Sequence, residues 1–309
     1  MRHLLRTIAL AVSLVLAWLA PTAQAQDTAP VASASAAPAT PAERARPALW
    51  KIADRDTTIY LFGTIHALPA GIDWLHGPLA DALTRSDQLV TEIPATAAAD
   101  MQSAVLKSAM LPAGQSLRAM LPDADRTRFE QAMGQFDLPV EAFDRFQPWY
   151  AAVALTSLPL AKGGYSAANG VEPMIAAAAQ KQGKPRMGLE TAAYQLAMFN
   201  SLPLEVQKRY LHEVLDGLPT LDQQLQDIIR EWSAGHADKL AALLNENEDD
   251  PVMVKALLTD RNRMWAQWLR LRMKRPGIVF LAVGAGHLAG PDSLLELVGK
   301  AGLNPVRVQ

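Results

Sequence analysis

Residues 277–287 read GIVFLAVGAGH, an apolar run followed by a glycine-rich turn and a histidine. An apolar run of this length predicts a strand that is buried on both faces, as in parallel sheets. The same order occurs near the other end of the chain, where residues 57–66 read TTIYLFGTIH. Two buried strands that each lead into Gly-x-x-His predict an α/β fold with His66 and His287 at one edge of its sheet.

Two further predicted strands end in an acid. Residues 88–93 read QLVTEI and are stopped by a proline, and residues 184–190 read KPRMGLE. Ligands in open α/β sheets bind beyond the carboxyl ends of the strands. We therefore expect Glu92 and Glu190 to lie beside the two histidines.

Two imidazoles and two carboxylates at one edge would suit a divalent metal ion such as Zn or Mn. Three or four protein ligands would leave a position for water, and the metal would lower the pKa of that water. A glutamate within hydrogen-bond reach would take the proton. Glycines in the two Gly-x-x-His elements allow close approach of a ligand or another backbone. The predicted ligands are His66, Glu92, Glu190 and His287, with Gly63 and Gly284 as weaker site candidates.

These residues also have simpler explanations. A histidine at the end of a strand is commonly a surface residue or a hydrogen-bonded one. Glu92 and Glu190 could equally be first-turn residues that a helix dipole stabilises. Four matching placements favour a shared site over four coincidences.

Arg261 is a fifth candidate. It lies on the apolar stripe of a helix predicted over residues 251–274, four residues from both Leu257 and Trp265. A buried arginine needs an anionic partner. That partner is either any carboxylate of the core, or a site carboxylate or substrate oxyanion.

The remaining pattern completes the fold prediction. Residues 49–53 form a hairpin with the strand at 57–62. Asp123 is predicted to cap a helix over residues 124–136. Helical patterns fill about residues 95–162 and 203–274, which we interpret as insertions. The expected fold is α/β, with a central mixed β-sheet, helices on both faces and large helical insertions.

The composition excludes several classes of protein. Lys and Arg number 29 against 31 Asp and Glu, a net charge of -2, which argues against a general nucleic-acid binder. Half of the residues are hydrophobic, which argues against a disordered acidic chain. The chain has no cysteine, so disulfides, thiolate metal sites and cysteine nucleophiles are absent.

The N-terminus predicts export. Arg2 and Arg6 precede an apolar run over residues 8–20, and Ala-Gln-Ala follows at 23–25. This order is typical of a secretory signal peptide cleaved after Ala25, since the run is too short for a membrane span of about 20 residues. We expect a periplasmic protein without a membrane span. Residues 26–47 are rich in Ala and Pro and predict a disordered tether, which leaves a folded domain at 48–309.

Several of these motifs together resemble the TraB/GumN family, which is related to the animal Tiki metalloproteases. The resemblance covers about residues 49–308. It is carried by LFGTIH (61–66), VTE (90–92), GVE (170–172), GLET (188–191) with Gln195, Arg261-Asn262 and VGAGH (283–287).

The resemblance implies an α/β fold of the erythromycin esterase and ChaN group and, for the Tiki branch, metal-dependent peptide hydrolysis. His66 and His287 would be metal ligands or catalytic bases, and Glu92 and Glu190 ligands or general bases. Arg261 would orient a carboxylate or stabilise charge. Glu172 and Asn262 are weaker candidates for the site.

The leading hypothesis is therefore an exported hydrolase that uses Mn, Co or Zn to cleave a peptide or protein substrate. The alternative is a haem- or metal-binding periplasmic protein without catalysis that uses the same edge, and a third is a scaffold that binds a partner. Gly284-x-Gly286 resembles part of a dinucleotide fingerprint, but the chain ends too soon after it. His212-Glu213 begins like a zincin motif but lacks the second histidine.

Overall fold

The computed structural model describes residues 44–94, 105, 108–245 and 250–309. Within them the strands are β1 Leu49–Ala53, β2 Thr57–Thr64, β3 Leu68–Pro69, β4 Gln88–Thr91, β5 Tyr165–Ser166, β6 Arg186–Gly188, β7 Gly277–Gly284 and β8 Val306–Arg307. The helices of the same residues are α1 Gly77–Arg85, α2 Leu117–Met120, α3 Asp123–Gln135, α4 Pro148–Lys162, α5 Val171–Lys181, α6 Ala192–Ser201, α7 Leu204–Gly217, α8 Leu221–Ser233, α9 Ala237–Asn245, α10 Pro251–Val254, α11 Asp260–Arg272 and α12 Leu294–Lys300.

The main sheet has six strands in the order β6-β4-β7-β2-β1-β8. The four strands from β6 to β2 are parallel, while β1 and β8 run antiparallel to their neighbours. Because β6, β4, β7 and β2 are parallel, their carboxyl ends meet at one edge of the sheet. The expected mixed sheet and the hairpin of β1 and β2 are confirmed.

Helices cover both faces of this sheet. On one face, Val90 and Leu281 pack with Trp265 and Leu269 of α11. On the other face, Leu89, Phe62 and Phe280 pack with apolar residues of α1, α5, α8 and α9. A separate cluster holds α3, α4, α6 and α7 together beside the sheet.

Part of the segment predicted as the second insertion, residues 203–274, packs on the sheet. The prediction counted residues up to 274 as insertion, but α11 is a covering layer of the sheet, with Trp265 and Leu269 buried on it. The same long helix also departs from a regular α-helix, because Lys255–Thr259 is a π-helical turn between α10 and α11.

The structure also corrects two smaller boundaries. The predicted tether ended at residue 47, yet Ala45 is buried and its N–H bonds to Asp73 O at 2.9 Å, so residues 44–47 belong to the folded part. Asp123 is the first residue of α3, and Pro122 stands at the N-cap position. The predicted signal peptide, residues 1–25, lies outside the described residues. Across the described ranges, no helix is both long and apolar enough to span a bilayer.

Candidate functional site

Arg261 is the centre of a buried network at the carboxyl edge of the sheet. Its Nε donates to Glu190 at 3.0 Å, and its Nη2 donates to Glu92 Oε2 at 2.6 Å and to Glu190 Oε2 at 2.9 Å. Its Nη1 donates to Leu257 O at 3.0 Å and to His287 Nε2 at 3.0 Å. The side chain is 1% exposed, so these contacts are shielded from water.

The parallel strands explain why distant residues meet here. Glu92 follows β4, Glu190 follows β6, and His287 lies in the 3-10 turn Ala285–Leu288 after β7. His66 follows β2, which pairs with β7 so that Thr64 lies opposite Gly284. The structure thus brings together the residues that the strand ends predicted.

Glu92 is held as a carboxylate. Burial alone would raise its pKa, but the charge of Arg261, the two histidines and the Gly284 N–H, which donates to Oε1 at 2.8 Å, together hold the pKa far below its usual range. Gln195 Nε2 donates to Glu92 Oε2 at 3.2 Å and to Glu190 Oε2 at 3.0 Å. Glu92 is therefore ionised and fixed in position.

His287 has both ring nitrogens engaged. Asn262 Nδ2 donates to Asp292 O at 2.9 Å, which turns Asn262 Oδ1 towards His287 Nδ1 at 2.7 Å. We assign the ring proton to Nδ1 because Nε2 faces the guanidinium of Arg261, which can only donate. The lone pair of His287 Nε2 therefore accepts the hydrogen bond from Arg261.

His66 is oriented by Glu172 of α5. Its Nδ1 lies 2.6 Å from Glu172 Oε1, and the Thr64 hydroxyl donates to the same oxygen. Since a carboxylate can only accept, Nδ1 carries the proton and Nε2 holds the lone pair. That Nε2 is buried and has no hydrogen-bond partner among the described residues.

Two opposing effects act on the pKa of His66. Burial and the charge of Arg261 lower the pKa. The charge of Glu172, the hydrogen bond between His66 and Glu172, and the charge of Glu92 raise it. The raising effects are larger, so the pKa of His66 is raised above its ordinary value of 6.5. The protonated imidazole is therefore favoured by a carboxylate on each side, Glu172 and Glu92.

A small space beside Gly284 joins His66 to the rest of the cluster. A Cβ built on Gly284 would lie 3.2 Å from Glu92 Oε1, 3.3 Å from His66 Nε2 and 3.7 Å from His287 Cδ2. We call the space bounded by these three atoms the Gly284 hollow. A lone pair and a carboxylate oxygen therefore lie near each other beside Gly284.

Two of the predicted metal ligands, Glu190 and His287, already bond to Arg261 in this arrangement. Arg261 occupies the lone pair of His287 Nε2 and both oxygens of Glu190, which leaves His66 Nε2 and Glu92 Oε1 at the hollow. Catalytic zinc sites usually have three protein ligands. Among the residues that the structure describes, there is no group of three or more His, Asp or Glu side chains that could hold a metal ion. The metal stays a prediction.

The geometry favours one of the roles expected of Arg261, that of orienting a site carboxylate. A guanidinium has five N–H donors, and Glu92, Glu190, Leu257 and His287 accept from all three of its nitrogens. No N–H is left for a substrate oxyanion without breaking a bond in this network. Arg261 therefore positions other side chains.

Sequence reasoning named Gln195 only among the residues that carry the family resemblance and gave Thr64 no role, although both contact a predicted site residue. The available signal was weak. Gln195 is a polar residue between Ala192, Leu196 and Phe199 on the buried face of α6. Thr64 lies within the first Gly-x-x-His element, where the motif leaves its position unspecified.

Comparison with known proteins gives a family and no function. The model of the TraB/PrgY/gumN family matches residues 48–307. The uncharacterized protein YbaP of Escherichia coli (strain K12) is 26% identical over 239 residues, which cover 77% of this chain and 87% of YbaP. An uncharacterized protein of Treponema pallidum (strain Nichols) is 22% identical over 271 residues, covering 81% of this chain and 80% of that protein. No solved structure matches the chain.

Proposed function

We propose that this chain, which belongs to the TraB/PrgY/gumN family, is an exported hydrolase that attacks a carbonyl carbon with water. A peptide bond is the substrate class that the resemblance implies. One observation carries the proposal: His66 Nε2 is a buried lone pair without a described partner, and Glu92 Oε1 lies near it beside Gly284. A buried nitrogen of this kind is costly unless something binds it.

The chemistry assigned to the hollow is general-base catalysis. A water in the hollow donates one hydrogen to His66 Nε2 and the other to Glu92 Oε1. As the water oxygen bonds to the carbonyl carbon, His66 takes the first proton, and Glu172 stabilises the imidazolium. When the C–N bond breaks, His66 returns that proton to the leaving nitrogen.

The surrounding network keeps this arrangement fixed. Arg261 and Gln195 hold Glu92 and Glu190 in place, and Asn262 holds the ring of His287. The side chains of His66 and Glu172 are 13% and 27% exposed, against 10% or less for Glu92, Glu190, Arg261 and His287. Substrate is expected to approach from the side of His66 and Glu172.

The test is an assay of the mature protein on unstructured peptides, with fragments identified by mass spectrometry. His66→Gln and Glu92→Gln should abolish fragment formation. His236→Gln is the matched control, because His236 also pairs with a glutamate, Glu231 at 2.8 Å, outside this cluster. Full activity of His66→Gln would contradict the proposal.

The same assay decides the metal question. Activity that persists in a chelator supports water activation by His66 alone. Activity that appears only with added Mn, Co or Zn keeps the hydrolase but replaces the proposed role of His66 with that of a metal ligand.

The non-catalytic alternative, haem binding, would also use His66 Nε2. Since Arg261 bonds to His287 Nε2, His66 is the histidine that would hold the iron of a haem. Titration with haemin would favour this function if a Soret shift appears and is lost in His66→Ala while no peptide is cleaved.

A further inference from the structure

Strand β6 is the outermost strand on its side of the sheet, among the residues that the structure describes. Two backbone bonds define how it pairs with β4: Leu89 N–H donates to Pro185 O at 3.0 Å, and Leu189 N–H donates to Thr91 O at 2.9 Å. In a parallel ladder, the groups that face a neighbouring strand belong to alternate residues. Positions 185, 187 and 189 therefore face β4.

The intervening residues face outwards. The N–H and C=O groups of Arg186 and Gly188 point away from β4, and within the described ranges no other strand pairs with them. Such an unpaired edge is the template on which an extended chain adds as a further strand.

Exposed apolar side chains occur on β6 and on α6 and α11, the helices that carry Gln195 and Arg261. Met187 is 38% exposed, and Tyr194 and Met264 are each 41% exposed. Met187 lies opposite Val90, which packs under α11, so its side chain points to the face of the sheet that α11 covers. Tyr194 Oη contacts Met264 Sδ at 3.9 Å. We call Met187, Tyr194 and Met264 the edge patch.

We propose that an extended peptide binds as an added strand on β6 and places an apolar side chain on the edge patch. The inference rests on the proposed function, because it gives the binding site for the substrate of that reaction. Continuity with the site supports this occupant. The chain runs from β6 directly to Glu190, and Tyr194 and Met264 lie on the two helices that carry Gln195 and Arg261.

The sheet geometry sets the length of the substrate. The Gly284 hollow lies beside β7, two strands inward from β6, and an added strand lies one strand further out. Three spacings of about 4.8 Å make about 14 Å. An extended chain covers this with about four residues. The cleaved bond should therefore lie about four residues from the residue on the edge patch.

Substitution of Arg186 by proline tests the pairing without touching the site. Proline removes the outward N–H of Arg186, which β4 does not use, and proline is tolerated on edge strands. Arg186→Ala is the matched control, because it removes the charge and keeps the N–H. Circular dichroism verifies that both variants fold.

Binding is measured by fluorescence anisotropy with a labelled unstructured peptide of about 16 residues, long enough for the spanning and paired segments. A Glu92→Gln background prevents cleavage, so this result is independent of whether the protein is a hydrolase. Arg186→Pro should weaken binding at least about tenfold and Arg186→Ala less than about twofold. Equal binding by both variants, or no binding by the parent, would overturn the proposal.

Two further outcomes are decisive. If light scattering shows a dimer that Arg186→Pro separates, the edge pairs with a second copy and the peptide proposal is wrong. If the protein hydrolyses peptides, Arg186→Pro should raise KM for the long peptide and leave that of a four-residue peptide unchanged. A rise for both peptides would contradict the docking model while leaving hydrolysis intact.

Discussion

At the scale of single residues, His66 and Glu172 form the pair on which the chemistry depends. Glu172 fixes which nitrogen carries the proton and stabilises the charge that forms when Nε2 takes another. The remaining nitrogen faces the Gly284 hollow. A carboxylate–imidazole pair of this geometry favours proton transfer at the far nitrogen.

The pair predicts the pH dependence of hydrolysis. The neutral form of His66 is the base, so kcat/KM should fall as the pH drops through its raised pKa, at a pH above 6.5. In Glu172→Gln the negative charge is lost, so burial lowers the pKa of His66. The acid limb should then move to lower pH, and kcat should fall on the order of 100-fold.

A pH–rate profile of both proteins measures this shift. Glu205→Gln serves as control, because Glu205 is exposed and pairs with Lys208 on α7. An acid limb that stays in place in Glu172→Gln would show that another group titrates.

At the scale of elements, Arg261 joins α11 to the ends of β4, β6 and β7. Arg261→Leu would leave Glu92 and Glu190 buried without their counter-charge. Removing one partner of a buried pair costs about 3–5 kcal/mol. We expect the free energy of unfolding in urea to fall by that amount at neutral pH. The loss should shrink in acid, because the unpaired carboxylates can then be protonated.

Arg118→Leu is the comparison for this experiment. Arg118 binds Asp144 at 2.6 Å but is 25% exposed, and pairs near the surface contribute about 0–1 kcal/mol. Similar losses in both variants would contradict the central role of Arg261 in joining the elements.

The junction between β2 and α5 requires a glycine. A Cβ on Gly170 would lie 2.1 Å from His66 O, and Val171 N–H bonds to Ile65 O at 3.0 Å beside it. Gly170→Ala should therefore separate Glu172 from His66, lower the melting temperature and abolish activity.

Gly134→Ala in α3 is the control. A Cβ at position 134 meets no atom within 4 Å, and the substitution should stabilise the helix by up to about 1 kcal/mol. Calorimetry of both variants tests this; an unchanged melting temperature for Gly170→Ala would be contrary to expectation.

The positions of the strand ends could be predicted from sequence, because buried parallel strands are visible as apolar runs. Their meeting at one edge could also be predicted, because parallel strands have their carboxyl ends on the same side of the sheet. The hydrogen-bond and ion-pair partners of each site residue could not be predicted from sequence. The proximity of Glu172 to His66 depends on how α5 packs, and the contact of Arg261 with His287 depends on how α11 packs on the sheet. Ala45 and Pro47 are buried although they lie in a segment of low complexity, so composition did not indicate where the folded part begins.

At the scale of the whole molecule, the sheet supplies the site and the lobe of α3, α4, α6 and α7 packs beside it. Export is a proposal that concerns residues 1–25, which lie outside the described ranges. We expect the periplasmic fraction of a bacterial host to contain the protein beginning at Gln26, as read by N-terminal sequencing. A cytoplasmic product that retains Met1 would contradict export.

Substitution at Gly284 tests the central claim most directly, because it fills the hollow and changes no titratable group. The backbone of Gly284, with φ -49° and ψ 136°, suits alanine. The kcat/KM of Gly284→Ala is compared with that of Gly299→Ala, where a Cβ meets no atom within 4 Å. The account predicts a loss of about 100-fold or more for Gly284→Ala, with a melting temperature within about 4 °C of the parent. Equal activity of the two variants would show that water is not activated in the Gly284 hollow.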